Sequence, residues 1–126
     1  MKVKIDTKEK FHVITLNETI LSANIAADLT QLVTKFLHEE IKNVVLNLSV
    51  VENIDEEGAE ELSQLQQRFY EASASFVICT LKPAVEDQLE QYELLEMMNI
   101  TPTESEAYDI VQMEEIEREL LDDEEE

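Results

Sequence analysis

The stretch LNLSVVENIDEEGAEEL, Leu46–Leu62, decides the fold, because an apolar run changes there into a helical pattern. It contains the chain's one glycine, Gly58, which directly follows three acidic residues. Asp55, the first of these acids, is suited to cap a helix, and acids in a first turn interact favourably with the helix dipole. We therefore expect a strand to end near Leu48 and a helix to begin near Asp55.

The composition of the chain is typical of a single α/β domain. Its 126 residues fit one domain, and the 44% of hydrophobic residues are enough to form a core. One glycine and two prolines favour long regular elements, because tight turns and bulges usually need those residues. An all-β sandwich or barrel is therefore disfavoured.

Alternating and uninterrupted apolar runs predict the strands. MKVKID and KFHVITL alternate apolar and polar residues, and the short TKEK between them suits the turn of an antiparallel hairpin near a sheet edge. The runs NVVLNL, Asn43–Leu48, and SFVICT, Ser75–Thr80, show little alternation, which indicates strands covered on both faces. NITP, residues 99–102, predicts a short edge strand.

Four segments have helical spacing or helix-start signals. The first begins after Ser22 or Asn24, either of which can cap it, and the second begins near Asp55. The third begins at Pro83, and the capping box TESE opens the last one at Thr103. Their apolar residues are Ile25, Leu29, Leu32, Val33, Phe36 and Leu37; Ala59, Leu62, Leu65 and Phe69; Val85, Leu89, Tyr92, Leu95 and Met98; and Tyr108, Val111 and Ile116.

Strand–helix–strand crossovers in this order predict a mixed, mostly parallel sheet of about four to five strands with about four helices. The predicted domain spans residues 1–118. Residues 119–126 form an acidic tail, which is expected to fray because it cannot be buried.

The formal net charge of −21 restricts the partners that the chain can bind. Such a surface repels nucleic acid and anionic lipid and attracts a basic protein surface, although charge can also serve solubility alone. No apolar run approaches the ~18 residues needed to span a bilayer, and the charged first ten residues lack the apolar region of a signal peptide. We therefore expect a cytoplasmic protein with no nucleic-acid partner and no direct membrane insertion.

The sequence shows no catalytic or cofactor-binding pattern. His12 and His38 are far apart and form no set with a nucleophile, and one glycine excludes the common phosphate-binding loops. Cys79 lies in the apolar run FVIC, where it is expected to pack as a small hydrophobe. TLKP, Thr80–Pro83, resembles a segment of receiver domains with Asp55 as phosphoacceptor, but the acidic pair that would bind magnesium is missing. No enzyme activity, cofactor or metal is expected.

Two segments carry a resemblance to a known family. VVLNLSVVENIDEEGAEEL is similar to the signature of the STAS family, the domain of bacterial anti-sigma factor antagonists. LEQYELLEMMNITPTESEAYDIV resembles the weaker C-terminal pattern of that family, with Glu93 in place of the usual glycine. The resemblance reaches to about residue 118 and implies the STAS-type fold. The residues at matching signature positions are Asn47, Leu48, Ser49, Val51, Ile54, Asp55 and Gly58.

The chain departs from the family pattern at the position that relatives phosphorylate. In the phosphoregulated members, an anti-sigma factor that is also a kinase phosphorylates the serine immediately before the glycine. That phosphorylation-equivalent position is Glu57 in this chain, and Glu56 precedes it. Phosphoserine carries about −1.5 to −2 charges at pH 7, so two glutamates supply a similar but permanent charge. The resemblance therefore implies a STAS domain that is fixed in one charge state.

These patterns predict a non-enzymatic protein-binding module, an anti-sigma factor antagonist-like regulator of bacterial transcription or stress signalling. Its partner is expected to be a protein, with an anti-sigma factor kinase as one candidate, and its oligomeric state is left open. Gly58 is expected to let another backbone approach closely. The expected binding residues are Asn53, Asp55, Glu56, Glu57, Gly58, Glu60 and Glu61, flanked by Thr19, Ser22 and Asn24.

Two alternatives stay open at this point. The acids before Gly58 are also what any stable helix start would contain, in which case they only cap the helix. Other STAS domains serve as accessory subunits of membrane transporters for lipids or anions, or as components of larger STAS signalling assemblies. The sequence does not identify a transporter or an assembly partner.

Overall fold

The computed structural model describes residues 1–125, with side-chain environments described through Leu121. The strands in this range are β1 Val3–Thr7, β2 Phe11–Leu16, β3 Ile20–Leu21, β4 Asn43–Asn47, β5 Asn53–Ile54, β6 Phe76–Cys79 and β7 Ile100–Thr101. The α-helices are α1 Ala23–Thr34, α2 Glu56–Glu71, α3 Pro83–Gln91 and α4 Glu104–Glu125. Short 3-10 helices occupy Lys35–His38 and Leu95–Met97.

The main sheet has five strands in the order β1-β2-β4-β6-β7. β1 and β2 form the predicted antiparallel hairpin, and the other neighbouring pairs are parallel. The predicted mixed, mostly parallel sheet with four helices is therefore confirmed. A second, two-stranded parallel sheet joins β3 to β5, and the sequence analysis did not predict it.

Helices cover the two faces of the main sheet unequally. Alternate strand residues such as Val44 and Leu46 face the cluster that contains the buried side chains of α1, α2 and α3. Their neighbours on the strands, such as Val45 and Val77, face a smaller cluster with Ala107 of α4. The inner strands β4 and β6 are thus covered on both sides, as their uninterrupted apolar runs predict.

The third helix is shorter than its apolar pattern indicates. It ends at Gln91, and Glu93 follows with a φ of 62°, in the left-handed region that a helix cannot continue through. Met98 is nevertheless buried against the core. The apolar spacing predicted that Met98 belongs to one continuous third helix. In the structure, a turn and the short 3-10 helix Leu95–Met97 place Met98 against the core instead.

The last helix passes the predicted domain boundary at residue 118 without a break and reaches Glu125. The division of the chain at that residue and the fraying of residues 119–126 therefore stay predictions, and residue 126 lies outside the described residues. Among the apolar residues of α4, Val111 is buried, whereas Ile116 is 56% exposed.

Candidate functional site

The start of α2 is built around a side-chain cap. Asp55 has extended backbone angles, φ −84° and ψ 167°, and its Oδ1 accepts a hydrogen bond of 2.7 Å from the backbone N–H of Gly58. Its own backbone carbonyl accepts the N–H of Ala59 at 2.9 Å. The predicted N-cap is thereby confirmed, and it fixes the direction in which the first turn presents its acids.

Gly58 is buried at this cap, and its lack of a side chain is a packing requirement. A Cβ atom built there would lie 2.6 Å from the carbonyl oxygen of Leu21 and 3.0 Å from Oδ1 of Asp55. The sequence analysis expected another backbone to approach Gly58, and the structure shows that this backbone belongs to the chain itself. Gly58 lies under the surface, so any part in partner binding is indirect.

The loop before α1 and the loop before α2 form one surface. The carbonyl of Thr19 accepts backbone N–H groups from Glu52 at 2.7 Å and from Asn53 at 3.1 Å. Two residues on, the carbonyl of Leu21 accepts the N–H of Asp55 at 3.2 Å. The small sheet of β3 and β5 thus places the predicted flanking loop beside the start of α2.

The three predicted flanking residues have different surroundings. Thr19 and Asn24 are exposed, whereas Ser22 is half-buried and caps α1 by accepting the N–H of Ile25 at 3.4 Å. The structure therefore keeps Thr19 at the surface next to β5 and assigns Ser22 a structural bond.

Glu56 and Glu57 are exposed in the first turn of α2. Within residues 1–121 the ion pairs are Lys8–Asp6, Lys82–Glu52 and Arg118–Glu115, and the side-chain hydrogen bonds likewise leave both carboxylates without a protein partner. Both negative charges therefore face solvent at the positive end of the helix dipole.

The two remaining predicted acids are not alike. Glu60 is exposed. Glu61 is half-buried, and its Oε1 accepts a hydrogen bond of 2.8 Å from the hydroxyl of Thr30 on α1. The sequence analysis treated both as acidic surface, but Glu61 is engaged in holding α2 against α1.

Gln88 of α3 and Tyr92, which directly follows α3, form hydrogen bonds that support β5, and these contacts were not predicted from the sequence. The side chain of Gln88 accepts the N–H of Ile54 at 2.8 Å and donates to Oδ1 of Asn53 at 3.3 Å. The hydroxyl of Tyr92 donates to the carbonyl of Ile54 at 3.0 Å. Such contacts leave no local sequence signal, because the partners lie more than thirty residues apart in the chain.

Ile20 is the other residue that sequence reasoning missed. It pairs with Asn53 across the small sheet, and its side chain is 55% exposed. The surface at the start of α2 therefore combines two free carboxylates with one apolar side chain. Aromatic and aliphatic side chains of this kind anchor protein interfaces when a partner covers them.

Two observations concern metal-binding and nucleophilic groups in the described residues. No group of histidine, cysteine and acidic residues in the described part of the chain has a geometry that could hold a metal ion. Cys79 is buried, and desolvation raises the pKa of its thiol, which makes it a poor nucleophile at neutral pH.

The sequence and the fold of this chain are similar to those of known proteins. The STAS domain family model matches residues 2–107. No curated protein sequence matches the chain. No helix in the described part of the chain is both long and apolar enough to cross a bilayer.

Solved structures share the fold at low sequence identity. A protein from Thermotoga maritima assigned as a candidate anti-sigma factor antagonist is 22% identical with a TM-score of 0.72, covering 87% of this chain and 94% of its own. A glutamate-for-serine variant of RsbS from Moorella thermoacetica is 22% identical with a TM-score of 0.73, over 89% and 96%. The murine anion transporter Slc26a9 is 14% identical with a TM-score of 0.67, over 82% of this chain but only 18% of the transporter.

Proposed function

The chain belongs to the STAS domain family, and we propose that it is a non-enzymatic protein-binding module of the anti-sigma factor antagonist type. In this proposal it regulates bacterial transcription or stress signalling by binding a protein partner, for which an anti-sigma factor kinase is the first candidate. Glu57 occupies the position that phosphoregulated relatives phosphorylate, so the binding surface carries a permanent charge. The likeness of the fold to anti-sigma factor antagonists supports the class of protein.

The observation that carries the proposal is the free, exposed pair Glu56 and Glu57. Asp55 alone completes the cap, because its side chain already accepts the N–H of Gly58. The two glutamates gain roughly 0.3–1 kcal/mol each from the helix dipole when exposed, which is small. The carboxylates of Glu56 and Glu57 form no bonds within residues 1–121. They are therefore suited to bind a basic side chain of a partner protein.

A carboxylate also differs from serine in what it allows a kinase to do. Glu57 has no hydroxyl that could form a phosphate ester of the kind that serine forms. Together Glu56 and Glu57 carry about two negative charges at pH 7, close to the −1.5 to −2 of phosphoserine. The Moorella structure with glutamate in place of serine shows that the fold of that relative accommodates such an exchange.

The surroundings of the acids define the partner surface that would fit. Ile20 lies on the same surface and is 55% exposed, so a fitting partner has an apolar pocket beside a basic patch. Full burial of an exposed aliphatic side chain contributes about 1.5–3 kcal/mol, and a partner that covers the exposed half of Ile20 gains roughly half of that. The charges determine which partner is accepted, and the apolar contact contributes much of the affinity.

Isothermal titration calorimetry against each anti-sigma factor kinase of the source genome tests the proposal. Neutralising Glu56→Gln with Glu57→Gln is expected to change Kd by about tenfold or more, which corresponds to at least 1.4 kcal/mol. The matched control is Glu39→Gln with Glu40→Gln, a second adjacent and exposed pair that precedes β4 at the opposite end of the sheet. Equal affinity of both double variants for every kinase contradicts the proposal.

Incubation with the same kinases and ATP tests the fixed charge separately. Mass spectrometry is expected to find no phosphate at Glu56 or Glu57. Phosphorylation of Ser49 or Ser63, which lie on either side of the acids, would show that the charge at this surface is still switched.

A role as accessory subunit of a transporter is the second candidate, and the likeness to Slc26a9 favours it. The chain matches only 18% of that transporter, so the likeness concerns one domain. Affinity purification from detergent-solubilised membranes distinguishes the two candidates. A transporter that co-purifies with the wild type but not with the Glu56→Gln, Glu57→Gln variant favours the second one.

A further inference from the structure

The solvent side of α4 carries an apolar stripe that is exposed in the described part of the chain. Met113, Ile116 and Leu120 are 59%, 56% and 57% exposed. Their spacing of three and then four residues places them on one side of the helix. We call these three residues the α4 stripe.

The rotation of α4 about its axis is fixed by contacts on its other side. Ala107 and Val111 are buried against the sheet. The carboxylate of Glu115 accepts a hydrogen bond of 2.7 Å from the side-chain amide of Asn43, and Arg118 donates to the hydroxyl of Ser75 at 3.1 Å. These bonds keep the α4 stripe turned away from the core, so more than half of each of its side chains is exposed to solvent.

The spacing of the α4 stripe is that of a coiled-coil seam. Met113 and Leu120 occupy a positions and Ile116 occupies the d position of one heptad. The flanking e and g positions are then Glu117 and Glu119, both exposed. Flanking charges of a coiled coil select the partner, because each faces a flanking residue of the other helix.

Charge decides what can cover this seam. A second copy of α4 would bring Glu117 and Glu119 against glutamates. Arg118 cannot offset them, because it is turned towards the sheet and forms a salt bridge of 2.9 Å with Glu115. An anionic membrane is disfavoured for the same reason, given the net charge of −21.

We propose that the α4 stripe is a second docking surface, which binds a basic amphipathic helix of a partner protein. The partner helix has an apolar seam that covers Met113, Ile116 and Leu120, with lysine or arginine opposite Glu117 and Glu119. This surface lies on the face of the sheet opposite α2, and its proposal does not depend on the function proposed for the start of α2. One domain would thereby hold two partners at once.

Two synthetic helical peptides test the proposal by fluorescence anisotropy with the full chain. Both have four heptads with leucine at a and d; one has lysine at e and g, and the other has glutamate there. The lysine peptide is expected to bind the wild type at least about tenfold more tightly than the glutamate peptide. The Ile116→Ser, Leu120→Ser variant is expected to bind the lysine peptide at least about tenfold more weakly than the wild type does. Its melting temperature, measured by circular dichroism, is expected to be unchanged.

A charge-reversed variant and a control separate seam binding from general attraction. Glu117→Lys with Glu119→Lys keeps the seam and is expected to reverse the preference towards the glutamate peptide. Tyr70→Ser removes a 76% exposed aromatic side chain from α2 and is expected to leave lysine-peptide binding unchanged. Equal binding of the lysine peptide to the wild type and to the Ile116→Ser, Leu120→Ser variant overturns the proposal. So does sedimentation velocity that shows a wild-type dimer which those serine substitutions dissociate.

Discussion

The starts of α2 and α4 share one capping arrangement but place their acids in different surroundings. Asp55 caps α2 through the N–H of Gly58, and Thr103 caps α4 through the N–H of Glu106 at 3.2 Å. The first turn of α4 has two acids, of which Glu106 is exposed. The other, Glu104, accepts hydrogen bonds from Asn47 at 2.7 Å and from Tyr108 at 3.0 Å. Within residues 1–121, neither first-turn glutamate of α2 has such a bond.

The difference shows that a helix start in this chain can be built in two ways. At α4 the fold uses the carboxylate, because it joins the helix to the end of β4. At α2 the close contact is made by Gly58, which packs against the backbone carbonyl of Leu21 at the end of β3. The carboxylates of Glu56 and Glu57 are exposed to solvent. The cap accounts for Asp55, whereas the dipole interaction of its two exposed neighbours stabilises the helix by only roughly 0.3–1 kcal/mol each.

The largest expected loss of stability follows from adding a methyl group at Gly58, the third residue of α2. Gly58→Ala would force the Cβ atom against the carbonyl of Leu21, 2.6 Å away. We expect about 1–3 kcal/mol of lost stability, as for other overpacked sites, even though alanine is the better helix former. Urea unfolding followed by circular dichroism measures it.

The matched substitution is Glu106→Ala, at the same third position of α4. It is exposed and is expected to change stability by less than about 0.5 kcal/mol. If Gly58→Ala is equally harmless, the close contact with Leu21 does not hold the α2 start in place.

The next effect compares the first-turn acids themselves. Glu104→Ala removes the acceptor of two hydrogen bonds and is expected to cost about 1–3 kcal/mol. Glu56→Gln with Glu57→Gln is expected to stay within about 1 kcal/mol, because only the exposed dipole interaction is lost. Thermal unfolding of the three proteins compares them, and a double glutamine variant that loses as much as Glu104→Ala would assign the α2 acids a structural role.

The N-caps of α2 and α4 are expected to contribute nearly equally to the free energy of unfolding. Asp55→Ala and Thr103→Ala each remove one acceptor for a backbone N–H of the first turn, so each should cost about 1 kcal/mol. Urea unfolding of both variants measures the difference between them. A much larger loss for Asp55→Ala would mean that this residue also orders the neighbouring loops.

The smallest expected effect on stability is the pH dependence that arises from the ionisation of Tyr108, near the start of α4. Burial, the hydrogen bond to Glu104 and the negative charge of that residue raise the pKa of Tyr108 to about 12. Because the folded pKa lies above the unfolded value of about 10, this group favours folding below pH 10 and loses that contribution as the pH rises towards 12.

Tyrosinate absorbance, taken as the difference between wild type and Tyr108→Phe, isolates this titration. Glu104→Gln is expected to shift the ionisation of Tyr108 to lower pH, since it removes both the charge and the carboxylate acceptor. An unchanged titration would show that the two side chains are not in contact.

Hydrophobic periodicity and capping residues predicted most of the fold, because long helices and strands leave long sequence patterns. The hairpin, the covered strands β4 and β6 and the beginnings of all four helices follow from such patterns or from capping residues. The pair of β3 and β5 did not, since two-residue strands are too short to show a period. The end of α3 was also missed: Glu93 adopts a positive φ that only the fold around it imposes.

The sequence pointed to the acids of the candidate site, and their role in binding stays a prediction. It did not point to the contacts that support the start of α2. Asp55, Glu56 and Glu57 stand out because capping and charge are local signals. The contacts of Leu21 with Gly58 and of Gln88 with Ile54 join residues far apart in the chain, so no local pattern contains them. Ile20 was missed because a single exposed apolar residue has no pattern at all.

The most direct test of the central claim introduces a serine at position 57. Glu57→Ser gives the partner kinase a hydroxyl at the phosphorylation-equivalent position, and calorimetry compares its affinity before and after phosphorylation. We expect the unphosphorylated variant to differ from the wild type in affinity by about fivefold or more. Phosphorylation is expected to shift the affinity back to the wild-type value or beyond it, because Glu56 and phosphoserine together carry more negative charge than the two glutamates of the wild type. Identical affinities of the wild type, the serine variant and its phosphorylated form would contradict the claim that permanent negative charge at the start of α2 controls binding.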